Sequence, residues 1–158
     1  MANSKNLYYG IPVLILAGIV IFMFFSAQKN SADPFFKGVP VEVFYSEACG
    51  CCVNYIGYLR DSGFNVKATL MTDVKEIKDK LNIPGNLRSC HTTKVGDYFV
   101  EGHMPVEAIK KLLAEKPQID GIALAGMPSG SPGMPGAKVP FEIFSVKTGK
   151  SAGLFTTL

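Results

Sequence analysis

The sequence predicts an α/β domain behind one membrane helix. Three observations carry this. An uncharged run of 19 residues, Leu7 to Phe25, lies near the start of the chain. From Val39 to Ala114, two-residue alternation and helical periodicity then take turns in the order β-α-β-α-β-β-α. A stretch rich in Gly, Pro and Ser separates that block from a final alternating pair. With 158 residues, 47% of them hydrophobic, and a formal net charge of +3, the chain has room for one domain and an appendage. It is too short for a large multidomain enzyme, and too apolar and weakly charged to be mainly disordered. Its 16 basic residues include Lys5 and Lys29, which precede every acidic residue and leave 14 basic against 13 acidic beyond them. No basic block marks a nucleic-acid footprint, so no such partner is expected.

At 1.5 Å per residue the first run covers about 28 Å, close to the roughly 30 Å of a bilayer's hydrocarbon. Tyr8 and Tyr9 suit one interface, and Pro12 lies near an end of the span. A cleaved signal peptide is the rival reading. It would need an unusually long apolar region, and Phe25 would stand at its minus-three position with Ala27 as the last residue removed. An uncleaved anchor over residues 1–29 is expected. Lys5 on one side and Lys29 and Lys37 on the other hardly separate the two orientations. The short leader favours a signal anchor with its N-terminus inside and the following domain on the extracytoplasmic, periplasmic side. That location places the cysteines outside cytosolic reducing control.

Residues 30–38 read as a tether and 39–158 as the domain. Val39, Val41, Val43 and Tyr45 alternate as a strand, with Pro40 suited to its start. Cys52 to Arg60 reads as a helix with Val53, Ile56 and Leu59 on one side, ended by Ser62-Gly63. Phe64, Val66, Ala68 and Leu70 form a second strand. Asp73 and Glu76 suggest a capping box for a helix with Val74, Ile77 and Leu81 on its apolar face and a Glu76–Lys80 pair. After the breaker Ile83-Pro84-Gly85, two strands are expected, Leu87 to Val95 and Tyr98 to Glu101, around a Gly96-Asp97 turn. Pro105 suits the first turn of a helix whose apolar face is Val106, Ile109, Leu112 and Leu113. A thioredoxin-like or glutaredoxin-like sandwich fits this order. Residues 121–136, GIALAGMPSGSPGMPG, read as one long loop, and Phe141 to Lys147 with a turn at Thr148-Gly149 as a terminal hairpin reaching Leu154 and Phe155.

All four cysteines lie beyond the apolar run. Cys49 and Cys52 have CxxC spacing at a strand-to-helix junction, where exposed N–H groups and the helix dipole favour a thiolate. That setting suits thiol exchange, and equally a soft metal such as Cu(I) or Zn(II). Cys51 adds a third sulfur, where a dithiol oxidoreductase needs two. Cys90 precedes His91, and His103 precedes Met104; these are the chain's two histidines. Strand ends and helix N-termini converge on one rim of such a sheet, which would gather these residues. One objection stands: neighbours in a regular strand point to opposite faces, so Cys90 and His91 cannot both face inward unless the strand is irregular there. Thiolate, imidazole and thioether together make a Cu(I) set, and carboxylates would signal harder ions. Met127 and Met134, in the flexible loop, are further candidate soft donors. Zinc fits less well, because CxCC is not its usual paired spacing. A purely structural CGCC disulfide, histidines satisfied in the core and methionines packed in the loop are the plain alternatives. No Ser-His-Asp order, P-loop or dinucleotide fingerprint occurs.

Four motifs give the chain a family likeness: VFYSEACGCC from Val43 to Cys52, IPGNLRSCHT from Ile83 to Thr92, EGHMP from Glu101 to Pro105, and GMPSGSPGM from Gly126 to Met134. Through them, residues 39–147 resemble the CopG-like family, long filed as a domain of unknown function and associated with copper resistance. The resemblance implies a thioredoxin-like fold, export to the envelope, a neighbourhood of copper-efflux genes, and copper held by clustered cysteines. It implies Cys49, Cys51, Cys52, Cys90, His91 and His103 as the binding group, with Met127 and Met134 matching the family's loop. The chain departs from the family pattern twice. Tyr55 or a neighbour stands where the family often has Trp, and the anchor looks uncleaved where many relatives carry a cleavable signal.

Two function classes follow. The first is a membrane-anchored copper-binding protein that takes Cu(I) for tolerance or trafficking, with a copper-efflux or copper-acceptor protein as partner. The second is a thiol-disulfide or copper-linked oxidoreductase with Cys49 as nucleophile and Cys52 as resolving residue.

Overall fold

The computed structural model describes residues 34–158. The expected anchor and residues 30–33 of the tether lie outside the described residues. Within them, no helix is long and apolar enough to cross a membrane.

The α/β expectation holds. Seven strands among the described residues form one sheet in the order β2-β1-β3-β4-β5-β6-β7. They are β1 (Pro40–Tyr45), β2 (Asn65–Leu70), β3 (Thr92–Val95), β4 (Tyr98–Glu101), β5 (Gly121–Ala123), β6 (Glu142–Lys147) and β7 (Lys150–Thr157). The helices are α1 (Gly50–Asp61), α2 (Lys75–Lys80) and α3 (Val106–Glu115). Strands β1 and β2 run parallel, as the intervening helix requires, and β3 and β4 form the expected hairpin with Val95 opposite Tyr98. Neighbours on a strand fall into different apolar clusters, which identifies the two faces of the sheet. Val100 and Ile122 pack with Tyr55, Ile56 and Leu59 of α1 and Ile109 and Leu112 of α3. Phe99 and Ala123 pack with Ile83, Leu87 and Val146.

The structure corrects several local expectations. Helix α1 buries Cys52, Tyr55, Ile56 and Leu59, and Val53 is 61% exposed. The stripe is set by the i, i+3, i+4, i+7 series from Cys52, and Val53 lies a residue's rotation outside it. In α2 the fully buried residue is Lys78, not Val74, Ile77 or Leu81, which are half-buried. Asp73 Oδ1 accepts the Lys75 N–H at 2.7 Å, which is half of the expected box, and the i,i+4 ion pair is Lys75–Asp79 in place of Glu76–Lys80. Strand β3 starts at Thr92, because Gly85–Leu87 form a 3-10 turn and the chain bends at Cys90. At the far end, Thr148 and Gly149 both take positive φ, the turn geometry that matches the twist of a two-residue hairpin.

The largest correction concerns the loop. Gly121–Ala123 are not loop residues; they pair with β4 in parallel and with β6 in antiparallel fashion, joining the terminal hairpin to the main sheet. A Cβ at Gly121 would stand 2.3 Å from the Phe99 carbonyl oxygen, so close pairing requires glycine there. Ile122 is fully buried. Replacing it by Ala is therefore expected to cost about 2–5 kcal/mol in urea unfolding. A loss within about 0.5 kcal/mol, as at a surface loop position, would contradict this placement.

Candidate metal centre

The CGCC segment follows β1 and opens α1. The Cys49 N–H donates to the Ser46 carbonyl at 3.1 Å, and the Cys52 N–H to the Cys49 carbonyl at 3.1 Å, so the cysteines ride on the first turn of the helix. Cys49 and Cys52 form a disulfide with their Cα atoms 5.4 Å apart. Cys51 and Cys90 are free thiols. Cys51 Sγ lies 3.6 Å from Cys49 Sγ, and Cys90 Sγ lies 3.8 Å from Cys52 Sγ.

Cys90 sits at the bend before β3, and His91 precedes the first strand residue. Because neither is inside a regular strand, both turn to the same site, and the alternation objection does not apply. His91 Nδ1 lies 3.5 Å from Cys52 Sγ and 3.4 Å from Cys90 Sγ. His103 follows β4 and puts Nε2 3.3 Å from Cys90 Sγ. Its Nδ1–H donates to the Pro132 carbonyl at 2.7 Å, which leaves the Nε2 lone pair facing sulfur. His91 lacks such an outer partner; its Nε2 is buried without one. Two sets of donors result, each within 4.8 Å: Cys49, Cys51, Cys52 and Cys90, and Cys90, His91 and His103. Cys90 belongs to both. Neither set contains a carboxylate.

Tyr55 forms the wall behind the imidazoles. Its ring centroid is 4.6 Å from that of His91 and 5.3 Å from that of His103, and its hydroxyl donates to the Met104 carbonyl at 3.1 Å. Tyr58 is a structural neighbour whose hydroxyl accepts the Val106 N–H at 2.9 Å, at the start of α3. The loop closes over this region at named points. Ser89 Oγ donates to the Gly126 carbonyl at 2.6 Å, and Pro132 holds His103. Gly133, with φ +79°, passes so near α1 that a Cβ would stand 2.8 Å from the Tyr55 nitrogen. Met127 follows Gly126 and is 51% exposed; Met134 follows Gly133 and is half-buried. Met104, beside His103, is fully buried in the hydrophobic core.

Burial favours the uncharged forms of Cys90, His91 and His103. It pushes the Cys90 thiol up to about 11, helped by negative charge at Cys51. It pulls His91 down to about 3, with the positive charges of His103 and Lys78 acting the same way. It also lowers His103, against the pull of the Pro132 carbonyl. A bound cation reverses this balance at the thiols by favouring thiolates, and reinforces the neutral imidazoles; these are the forms that coordinate.

The structure is similar to the copper resistance protein CopG in Form 2, with 32% sequence identity and a TM-score of 0.70, covering 76% of this chain and 98% of that one. The chain belongs to the CopG family. Form 1 of the same protein gives 32% identity and a TM-score of 0.68 over 75% of this chain and 95% of that one. A family model described as a protein of unknown function, DUF411, matches residues 87–134. This CopG-family segment carries Cys90, both histidines and both loop methionines, but not the CGCC cluster. No curated protein matches the chain.

Lys78 and Glu101, two buried residues whose side chains bond to the segment around Cys90, carry no mark of this in the sequence. Glu101 lies in the EGHMP motif, which drew attention to its histidine. Lys78 lies in KEIKDK, which gives no signal of burial.

The depressed His91 pKa has a consequence for stability. The unfolded chain takes up a proton at this residue near its ordinary value of 6.5, and the folded metal-free chain only near 3. The contribution is present above pH 6.5 and is lost as pH falls toward 3, at up to about 1.4 kcal/mol per pH unit. Urea midpoints measured from pH 7 to pH 4 should therefore fall more steeply for the unsubstituted chain than for His91→Gln. Parallel curves would contradict a buried neutral His91.

Proposed function

We propose that this chain is a membrane-anchored, extracytoplasmic copper-binding protein that captures Cu(I) for copper tolerance or trafficking. One observation carries the reading: four sulfurs and two imidazole nitrogens converge, without a carboxylate, on two donor sets that share Cys90. Soft thiolates with imidazoles suit Cu(I) better than hard ions, and zinc less well given the CxCC spacing. The similarity to a protein described as a copper resistance protein supports the same metal. The strand order β2-β1-β3-β4 and the helix between β1 and β2 support reading the first four strands as a thioredoxin-like core. Copper is cargo here, passed to or from a copper-efflux or copper-acceptor protein.

The form with the Cys49–Cys52 bond offers two thiols, Cys51 and Cys90. An external dithiol, itself oxidised to a disulfide, supplies the two electrons and two protons that convert that bond into two further thiols. Each thiol that then takes Cu(I) releases its proton, and neighbouring thiolates bridge more than one ion. His103, its tautomer set by Pro132, and His91 supply neutral nitrogen donors at the inner end. Met127 and Met134 are proposed as additional soft donors at the loop.

The disulfide at the start of α1 also favours a second reading, a thiol-disulfide or copper-linked oxidoreductase using Cys49 and Cys52. Cys49 is only 9% exposed, which weighs against direct attack on a protein disulfide. Turnover of a protein disulfide by the metal-free chain would favour this second reading over copper handling.

The deciding experiment is an anaerobic Cu(I) titration of the full chain in detergent against a competing chelator, with free thiols counted at each step. The reduced chain should saturate tightly and consume all four thiols, and the oxidised chain should hold less copper. Because Cys90 joins both donor sets, Cys90→Ser should weaken affinity by at least the roughly 100-fold that loss of an outer-shell partner can cost. Binding no tighter than in the Cys-to-Ser variants would overturn the copper reading. The anchor is tested separately: after alkaline extraction of membranes the chain should stay in the pellet, and its release would overturn the membrane assignment.

A further inference from the structure

The site is fastened from the opposite face of the sheet. Glu101, the last residue of β4, is fully buried, and Lys78 of α2 is 4% exposed. Their side chains form an ion pair. Glu101 Oε1 accepts from Lys78 Nζ and from the backbone N–H of Ser89, and Oε2 accepts the Thr92 hydroxyl at 2.6 Å. Lys78 Nζ also donates to Thr92 Oγ1 at 2.9 Å. Thr92 and Glu101 are cross-strand partners, one position from Thr93 and Val100, so this network lies on the face away from α1.

Stability alone is a weak explanation for such a pair. Removing two charges from water costs several kcal/mol each, and apolar residues of similar volume often serve the fold as well. The network's position is more telling, because Ser89 and Thr92 bracket Cys90 and His91. The same segment is tied to α2 a second time by Arg88–Asp79 at 2.7 Å, and to the residue after β4 by the Gly102 N–H on the His91 carbonyl at 3.3 Å. We propose that Glu101 is a positioning residue for Cys90. By accepting the Ser89 amide it holds the chain ahead of β3 in the bend that turns Cys90 and His91 toward one site. Lys78 is the counter-ion that allows a carboxylate to be buried there.

Two charge-free variants separate placement from charge and from folding. Lys78→Met/Glu101→Gln keeps a carbonyl acceptor for the Ser89 amide, and Lys78→Met/Glu101→Leu does not. Three readouts on the full chain apply: Cu(I) competition, which rests on the copper reading above; iodoacetamide labelling of Cys90 in the metal-free disulfide form; and amide exchange of Ser89 in the unsubstituted chain. The latter two are independent of copper. The Leu variant should bind Cu(I) about 10–100-fold more weakly and label Cys90 at a changed rate, and the Gln variant should stay within about threefold of the unsubstituted chain. The Ser89 amide should exchange as slowly as those of β3. Equal affinity and labelling in the Leu variant and the unsubstituted chain would overturn the proposal, as would a Gln variant that falls with the Leu variant. Rapid Ser89 exchange would overturn it even if neither variant folds. If the unsubstituted chain binds no Cu(I), the copper reading fails, and labelling and exchange still decide the role of Glu101.

Discussion

Cys90 and His91 are adjacent in the chain and face the same site. Regular strand geometry forbids this, because successive side chains alternate between faces. The molecule meets the constraint by starting β3 at Thr92 and bending the backbone at Cys90. Much of the centre depends on that bend. Cys90 Sγ comes within 3.8 Å of Cys52 and 3.3 Å of His103, so one sulfur joins the cluster on α1 to the imidazoles behind it. A register one residue longer would turn either Cys90 or His91 to the opposite face and divide the donors.

The surroundings decide what these donors can do. Aromatic and aliphatic packing by Tyr55, Met104 and the core strips water from the inner nitrogens and sulfur. Cys90, His91 and His103 are therefore biased toward their neutral forms until a cation arrives. Charge that binds here must come with a partner of opposite sign, and thiolate with a soft monovalent metal satisfies that condition at low cost in hydration. The loop places the Pro132 carbonyl on His103, and at Gly133 its backbone passes close to α1.

The sequence made the class of fold legible because its strands and helices differ strongly in period. The β1–α1–β2 unit, the Gly96-Asp97 hairpin and α3 were all readable in this way. The stripe of α1 was misjudged at Val53 because Cys52, counted as a ligand, also serves as a core residue. Strand β5 was missed because Gly121–Ala123 is short, continuously apolar and continuous with a glycine-rich loop, so no alternation marks it. Cysteines and histidines announced themselves by their chemistry, and the bend at Cys90 answered the objection that alternation raised. Lys78 and Glu101 carry no local signal at all: a lysine in a charged hexapeptide reads as solvent-facing, and only the tertiary fold supplies the carboxylate that buries it.

The central claim is that sulfur and imidazole donors from three separate segments bind one kind of soft metal together. X-ray absorption at the copper edge, on the reduced full chain loaded with Cu(I), tests this most directly because it reports the atoms bound to the metal. Copper should be bound mainly by sulfur, with an imidazole contribution that weakens in His103→Ala and disappears in His91→Ala/His103→Ala. A shell of oxygen and nitrogen without sulfur would contradict it.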